Sequence, residues 1–411
     1  MKALAPLLLA GILLAACNGA GTTSAHADII IASEMPISGF MADPAIAEQA
    51  IAFAIKQQGS IEGFNLGYWS FDDALGADAN AARGIENLRQ MIAVHPVLGM
   101  VGPYNSSVAV YEIPAANQAN LAMVSPSTTS TCLTLSFPFC DVQPKTLRSN
   151  QPNNYFRLAA PDALQGRGMA RYASDTLKVK RVAAFNQNWG PGGDQIINEF
   201  RNEFARSGGQ LVLQGAIAAS ENPDFSKFLD EARANGAEAV YAVGDSTGHV
   251  CAALAQMRVR LPGAYFLGTD GIAEDKTCLN DAGGTNIDGM VATYVDVDPR
   301  TSTDPAVNNE VKAYLKAYPS PSDVSIYTFA ALDCARLLID AIRRAIVLNH
   351  GNLPTRTDVI AQLAATQGFK GLTGIYSFDG NGDALSPMMS IHQVKDGKWG
   401  YLEKIDVSAH S

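Results

Sequence analysis

The sequence predicts an α/β fold made of two parallel-sheet units in series, and three observations carry that expectation. From residue 28 onward, short apolar runs alternate with longer segments of helical spacing. The alternation runs once to about residue 150 and again from about 155 to 295. The 411 residues exceed one ordinary core, and 47% hydrophobic with 17% charged residues is a globular composition.

In the first unit, DIIIAS (28–33) reads as a strand. PAIAEQAIAFAIKQQG (44–59) reads as a helix, with apolar residues at helical spacing and a closing glycine. LGYWSF, ADANAARGIENLRQMIAV and VLGMVG repeat the cycle, followed by a helix near 106–118 and the strand LAMVS (121–125). The second unit runs through helix 162–176, strand RVAAFN (181–186), helix 193–208, strand LVLQGAIA and helix 225–235. Strand AEAVYAVG, helix 247–258, strand AYFLG and strand GMVATYV (289–295) complete it. Residues 305–318, 323–348 and 355–366 are helical in pattern, and 372–405 read as strands with a turn at Asp379-Gly-Asn-Gly-Asp383. That turn stops short of the spacing of an EF-hand calcium loop and is expected to be a plain hairpin turn.

The amino terminus reads as an export signal. Lys2 supplies positive charge, and Leu4 to Ala16 is an apolar run too short to span a bilayer. It ends in Leu14-Ala15-Ala16-Cys17, which resembles the lipobox of bacterial lipoproteins. In that motif the chain is cut before a lipidated cysteine, which implies signal peptide 1–16, lipidation at Cys17 and a polar tether over 17–27. No later apolar run is long enough to be a transmembrane helix, so the lipid is the expected membrane contact. A formal charge of −10 argues against nucleic acid or anionic lipid as partners.

Export permits disulfides. Of the five remaining cysteines, Cys132–Cys140 is the expected bridge closing a small loop. Cys251–Cys278 would link a helix start to a nearby loop, and Cys334 in an apolar helix stays a free thiol. Spacing by itself leaves the connectivity open. No Cys-x-x-Cys or His-x-x-x-His pair occurs, so neither a metal nor a cofactor is expected.

A set of loop motifs carries a family likeness. PISG (36–39), FDDALGADAN (71–80), VGPYNSS (101–107), VSPSTT (124–129), FNQNWG (185–190), YAVGD (241–245), LGTDG (267–271) and FDGNGD (378–383) occur in order. In that order and spacing the chain resembles the leucine/isoleucine/valine-binding proteins, the type I periplasmic solute-binding proteins of ABC importers. The resemblance covers nearly all of residues 28–405. It implies two doubly wound lobes of Venus-flytrap form, joined by three hinge crossings near 158–161, 292–295 and 372–375. Lobe I would be 28–159 plus 294–373, and lobe II 160–293 plus 374–411. A monomer with a small-molecule ligand in the cleft and a membrane permease as partner is implied.

An amino-acid zwitterion needs donors for its carboxylate and an acidic acceptor for its ammonium. The resemblance places Ser106, at a helix start, and Thr129 on the carboxylate. It places the Ser127 carbonyl and Asp270 on the ammonium, with Trp189 covering the ligand from lobe II. Without the likeness these residues read as helix-cap, turn and packing residues. Asp72 and Asp73 also match a family motif and read as turn and cap residues. Three departures bear on side-chain preference. Residues 40–46 lack the usual aromatic unless Phe40 or Met41 substitutes, Ser246 replaces another, and 130–149 is longer than usual. The implied function is capture of a branched-chain or related amino acid for an importer.

Two alternatives compete. The same fold could serve a signalling receptor as a ligand-sensing lipoprotein. Gly244-Asp-Ser246-Thr-Gly248 also matches the G-x-S-x-G nucleophile elbow of serine hydrolases, with Asp270 and His350 or His392 downstream. No HGGG-like oxyanion segment precedes it, so a non-enzymatic binder is expected.

Overall fold

The computed structural model describes residues 27–39, 42–76, 78–149, 152–284, 287–320, 322, 324–385 and 388–407. The signal segment, Cys17 with residues 18–26, and Phe40 and Met41 lie outside the described residues. The chain forms two α/β lobes, each a mainly parallel sheet with helices on both faces. Among the described residues no helix is long and apolar enough to cross a membrane.

In the first sheet, strand Ile29–Met35 lies between Phe64–Asp72 and Val97–Val101. Ala122–Ser125 and Tyr155–Arg157 extend it, all parallel. Val97–Val101 is buried at every position, which is why it reads as a continuous apolar run: helices cover both of its faces. Asp43–Gln58 and Thr328–Leu348 pack on one face, Ala81–Ala93 and Ser106–Gln118 on the other. The second sheet runs Gln210–Ile217, Arg181–Gln187, Ala239–Val243, Tyr265–Gly268 and Val291–Tyr294 in parallel. Antiparallel Met388–Lys395 and Lys398–Asp406 close its edge. Both expected disulfides are present, Cys132–Cys140 and Cys251–Cys278, and Cys334 is a buried free thiol.

Beyond Val291–Tyr294 the chain stays close to the second sheet for a few residues. Asp296 and Asp298 remain tied to the second sheet through the Ser390 hydroxyl, and only helix Pro305–Ala317 reaches Phe53 of the first lobe. Phe369–Lys370 and Ile375–Tyr376 pair as a small antiparallel hairpin. The Asp333 carboxylate accepts from the amides of Leu372 and Thr373 and from the Thr373 hydroxyl, drawing this segment onto helix Thr328–Leu348. Phe378 then packs on Phe156 at 5.2 Å, so the chain joins the second sheet only at Met388.

Helices Asp162–Asp175 and Gly190–Arg206 make the tightest crossing in the second lobe. A Cβ at Gly166 would stand 2.1 Å from the Ile196 carbonyl oxygen and 2.9 Å from the Phe200 amide nitrogen. Backbone cannot yield as a flexible side chain can, so the helices would have to separate. Gly166→Ala is expected to lower unfolding free energy in urea by about 1–3 kcal/mol, the usual cost of overpacking. Wild-type stability in that variant would show that the crossing is looser than these distances.

Candidate functional site

A cavity of about 470 Å³ opens between the lobes, within the range of small-molecule sites. The first lobe contributes Pro36 and Gly39, after strand Ile29–Met35, and Tyr104, Asn105 and Ser107, after Val97–Val101. The second contributes Asp245, Ser246 and Thr247, after Ala239–Val243, with His249 and Thr277. These walls lie beyond the carboxyl ends of strands, where open α/β sheets place ligands.

None of the five sequence-expected residues is in this wall; four stand directly behind it. Ser106 lies between Asn105 and Ser107, and its hydroxyl oxygen accepts from the Ser130 amide at 3.1 Å. Ser127 is buried and donates its hydroxyl to the Tyr104 carbonyl at 2.8 Å. Trp189 donates its indole N–H to Asp245 at 2.9 Å. Its ring lies against the 270–271 turn, where a Cβ on Gly271 would come 2.9 Å from Trp189 Cζ2, so glycine is what lets the ring lie there. Asp270 is buried and accepts from the Tyr327 hydroxyl at 2.7 Å. Tyr327 meets the Tyr104 ring edge-on at 5.4 Å. The fifth, Thr129, offers its carbonyl to the Asp162 amide at 2.8 Å, tying a first-lobe loop to the first helix of the second lobe.

The structure adds residues that local pattern did not mark. Gln165 Nε2 donates to Asp162 at 3.0 Å and to Asp270 at 2.7 Å. Its oxygen accepts from the Asp270 amide at 3.0 Å and the Thr293 hydroxyl at 2.6 Å. One side-chain amide thus sits between two carboxylates, and among the described residues neither carboxylate forms an ion pair. Burial first, then the charge of Asp270, pushes the Asp162 carboxyl up to about 7. Burial also raises Asp270, against the hydrogen bonds from Tyr327 and Gln165. At the mouth, Asp43 is pushed up to about 7 by burial and then by Asp275 and Glu274 of the opposite lobe, with Lys276 opposing. Asn105 Oδ1 and the Tyr104 hydroxyl, both in wall residues, are buried without a hydrogen-bond partner among the described residues. Asn105 precedes helix Ser106–Gln118 without capping it through its side chain, which only the structure could show, since by sequence Asn there reads as an ordinary N-cap.

The hydrolase arrangement is not assembled. His392 is buried against Tyr294 and pairs with Glu274 at 2.7 Å, while His350 is exposed beyond helix Thr328–Leu348. Asp270 is bonded to Gln165 and Tyr327, and to neither histidine. Among the described residues no group of His, Cys, Asp and Glu is placed to hold a metal ion.

A family model described as periplasmic binding protein matches residues 29–398. No curated protein matches the chain. The fold is similar to that of a leucine-binding protein from Thermotoga maritima, with TM-score 0.74, 22% identity, and 92% of this chain and 99% of that one covered. It is also similar to a branched-chain amino acid transporter substrate-binding protein from Streptococcus pneumoniae solved with isoleucine, with TM-score 0.75, 19% identity, and 92% and 99% covered. A third is an ABC-transporter solute-binding protein from Rhodopseudomonas palustris solved with 3,4-dihydroxybenzoic acid, with TM-score 0.70, 18% identity, and 93% and 98% covered.

The raised carboxyls set the direction of pH dependence. An acid whose folded pKa lies above its unfolded value contributes stability below the unfolded pKa and loses it as pH rises through the folded one. Melting temperature should therefore fall between about pH 4 and pH 7. Asp73 and Glu112, buried in the first lobe and each pushed up to about 7 chiefly by burial, act in the same sense. Asp162→Asn isolates the cleft contribution: it should melt higher than wild type at pH 8, with the gap shrinking toward pH 5. A constant gap across that range would show that Asp162 does not titrate there.

Proposed function

The chain belongs to the periplasmic binding protein family, and from that membership we propose that it is the extracytoplasmic solute-binding lipoprotein of an ABC importer. It captures an amino acid by closure of its two lobes. The observation that carries this reading is a cavity walled by both lobes, because a ligand touching both stabilises their closed arrangement. The solved relatives with leucine-type names or isoleucine bound support an amino acid as the ligand class.

In this reading Asp270 receives the ammonium, with Asp162 adding negative charge and the Ser127 carbonyl a further acceptor. The start of helix Ser106–Gln118, with Ser106 and Thr129 nearby, receives the carboxylate at the positive end of the helix dipole. Trp189 covers the ligand from the second lobe. The lobe boundaries fall at 158–161, 299–304 and 385–388, following the attachments of Ser390, Asp333 and Phe378. The lipid on Cys17 keeps the binder beside its permease, and Cys17→Ala should release the protein from membranes.

Thermal-shift titration of the mature protein against amino acids tests the ligand class, since a ligand of the native state raises the melting temperature by mass action. Asp270→Asn keeps the shape and removes the charge. It should weaken binding of α-amino acids by about 30-fold or more, the effect of losing one partner of a buried charge pair. Undiminished affinity in a folded Asp270→Asn protein would move the ammonium site elsewhere.

A further inference from the structure

The two lobes meet through a buried side-chain hydrogen bond that lies away from the crossings. Tyr327 immediately precedes helix Thr328–Leu348, which packs on the first sheet, and Asp270 follows strand Tyr265–Gly268 of the second. The Tyr327 hydroxyl donates to Asp270 Oδ2 at 2.7 Å, and both residues are buried. Two other hydrogen bonds between the lobes run from the Asp162 amide to the Thr129 carbonyl and from the Ala163 amide to the Thr131 hydroxyl. Those two adjoin the first crossing, where chain continuity already keeps the lobes close. Tyr327 reaches across from a distant part of the chain.

Both ends of this bond are held in place. Asp270 Oδ1 accepts from Gln165 Nε2 at 2.7 Å, and the Asp270 amide donates back to the Gln165 oxygen at 3.0 Å. One side-chain amide therefore grips the carboxyl and the backbone of the same residue. Gln165 stands near the start of helix Asp162–Asp175, and its oxygen also accepts from Thr293 on strand Val291–Tyr294. In the lobe division given above, that helix follows the first crossing and that strand precedes the second. The Ala160 amide donates to the Val295 carbonyl at 3.1 Å, which joins the same two stretches. On the opposite side, the Tyr327 ring meets the buried Tyr104 ring edge-on at 5.4 Å.

A hydroxyl on a packed ring loses little freedom in reaching a carboxyl that is already oriented, and away from water such a bond is strong. Separating the lobes leaves Asp270 with Gln165, its partner within the second lobe, and strips away Tyr327. Resting on the solute-binding reading above, in which the lobes open and close, we propose that Tyr327 is a positioning residue that latches the closed arrangement. Its hydroxyl docks on Asp270, and Gln165 presents Asp270 to it from beside the crossings. The chain's own side chains thereby set how often the cleft stands open. A ligand completes a closure that the protein already favours.

The test compares the full mature protein with its Tyr327→Phe variant, both without ligand, by small-angle X-ray scattering and amide hydrogen exchange. Phenylalanine keeps the ring against Tyr104 and removes only the hydroxyl. The ratio of closed to open protein should fall about tenfold or more, the effect of losing one hydrogen bond to a charged group. That fall appears as a larger radius of gyration where the open form becomes abundant. Where the open form stays rare, it appears as about tenfold faster exchange of the cross-lobe amides at 162–163 and of segment 102–106 at the cleft. Strand Val97–Val101, buried in the first lobe, should exchange as in wild type. Asp270→Asn should act in the same direction, and adding Tyr327→Phe to it should change little more, because both weaken one bond. No change in either measurement, or acceleration that extends equally to Val97–Val101, overturns the latch. Such a result leaves the amino-acid reading in place, whereas undiminished amino-acid affinity in Asp270→Asn moves the ammonium site and leaves the latch standing.

Discussion

The arrangement of the cleft depends on one buried guanidinium. Arg157, at the end of the last strand of the first sheet, is fully buried and reaches two chain segments at once, the 128–134 loop and the turn at 379–383. It donates to Asp383 at 2.6 Å, to the carbonyls of Thr128 at 3.1 Å and Ser130 at 2.8 Å, and to the Thr134 hydroxyl at 2.5 Å. The turn at 379–383 is thereby fixed beside the first sheet, and the loop holding Thr129 is fixed above the first helix of the second lobe. A buried ion pair gives little net stability over an apolar substitute, but losing one partner of it is severe. The pair therefore makes one geometry far better than its alternatives. Thr129 can meet Asp162, and Asp162 can stand near Asp270, only in that geometry.

The charge balance inverts at the next layer. Arg157 is matched by Asp383, whereas Asp162 and Asp270 share only the neutral amide of Gln165. An amide between two carboxyls orients them without supplying a counter-charge, so burial favours the protonated form, the direction in which both carboxyls are shifted. In the proposed reading, an ammonium beside Asp270 favours the ionised carboxylate that burial alone disfavours.

Much of the architecture was legible because parallel α/β units write a strong pattern. Strands buried on both faces, such as Val97–Val101, leave unbroken apolar runs, and the helices between them show one-sided periodicity. Cys132–Cys140 and Cys251–Cys278, spaced by 8 and 27 residues, are the expected pairs, though spacing alone had left the connectivity open. The contacts around the later passages between the lobes were not legible. They depend on the Asp333 grip on Leu372 and Thr373 and on Ser390 holding Asp296, all contacts of long sequence separation. The site shows the same division. Asp270 and Trp189 stand in loops after strands, where position alone marks them. Gln165 and Tyr327 occupy a helix interior and a helix start and acquire their roles only when the lobes meet. Tyr104 and Asn105 lay inside a motif that drew attention to Ser106 instead.

In the proposed reading, closure of the lobes brings further carboxyls together. Asp43 on the first lobe faces Asp275 and Glu274 on the second, so bringing the lobes together compresses like charges at the mouth. Protonation of Asp43 is one relief. A ligand shifts an equilibrium only by its differential affinity for the two states, so in the proposed reading an amino acid must offset this opposition through its contacts with both lobes. A permease that engages the closed form then meets only ligand that has done so.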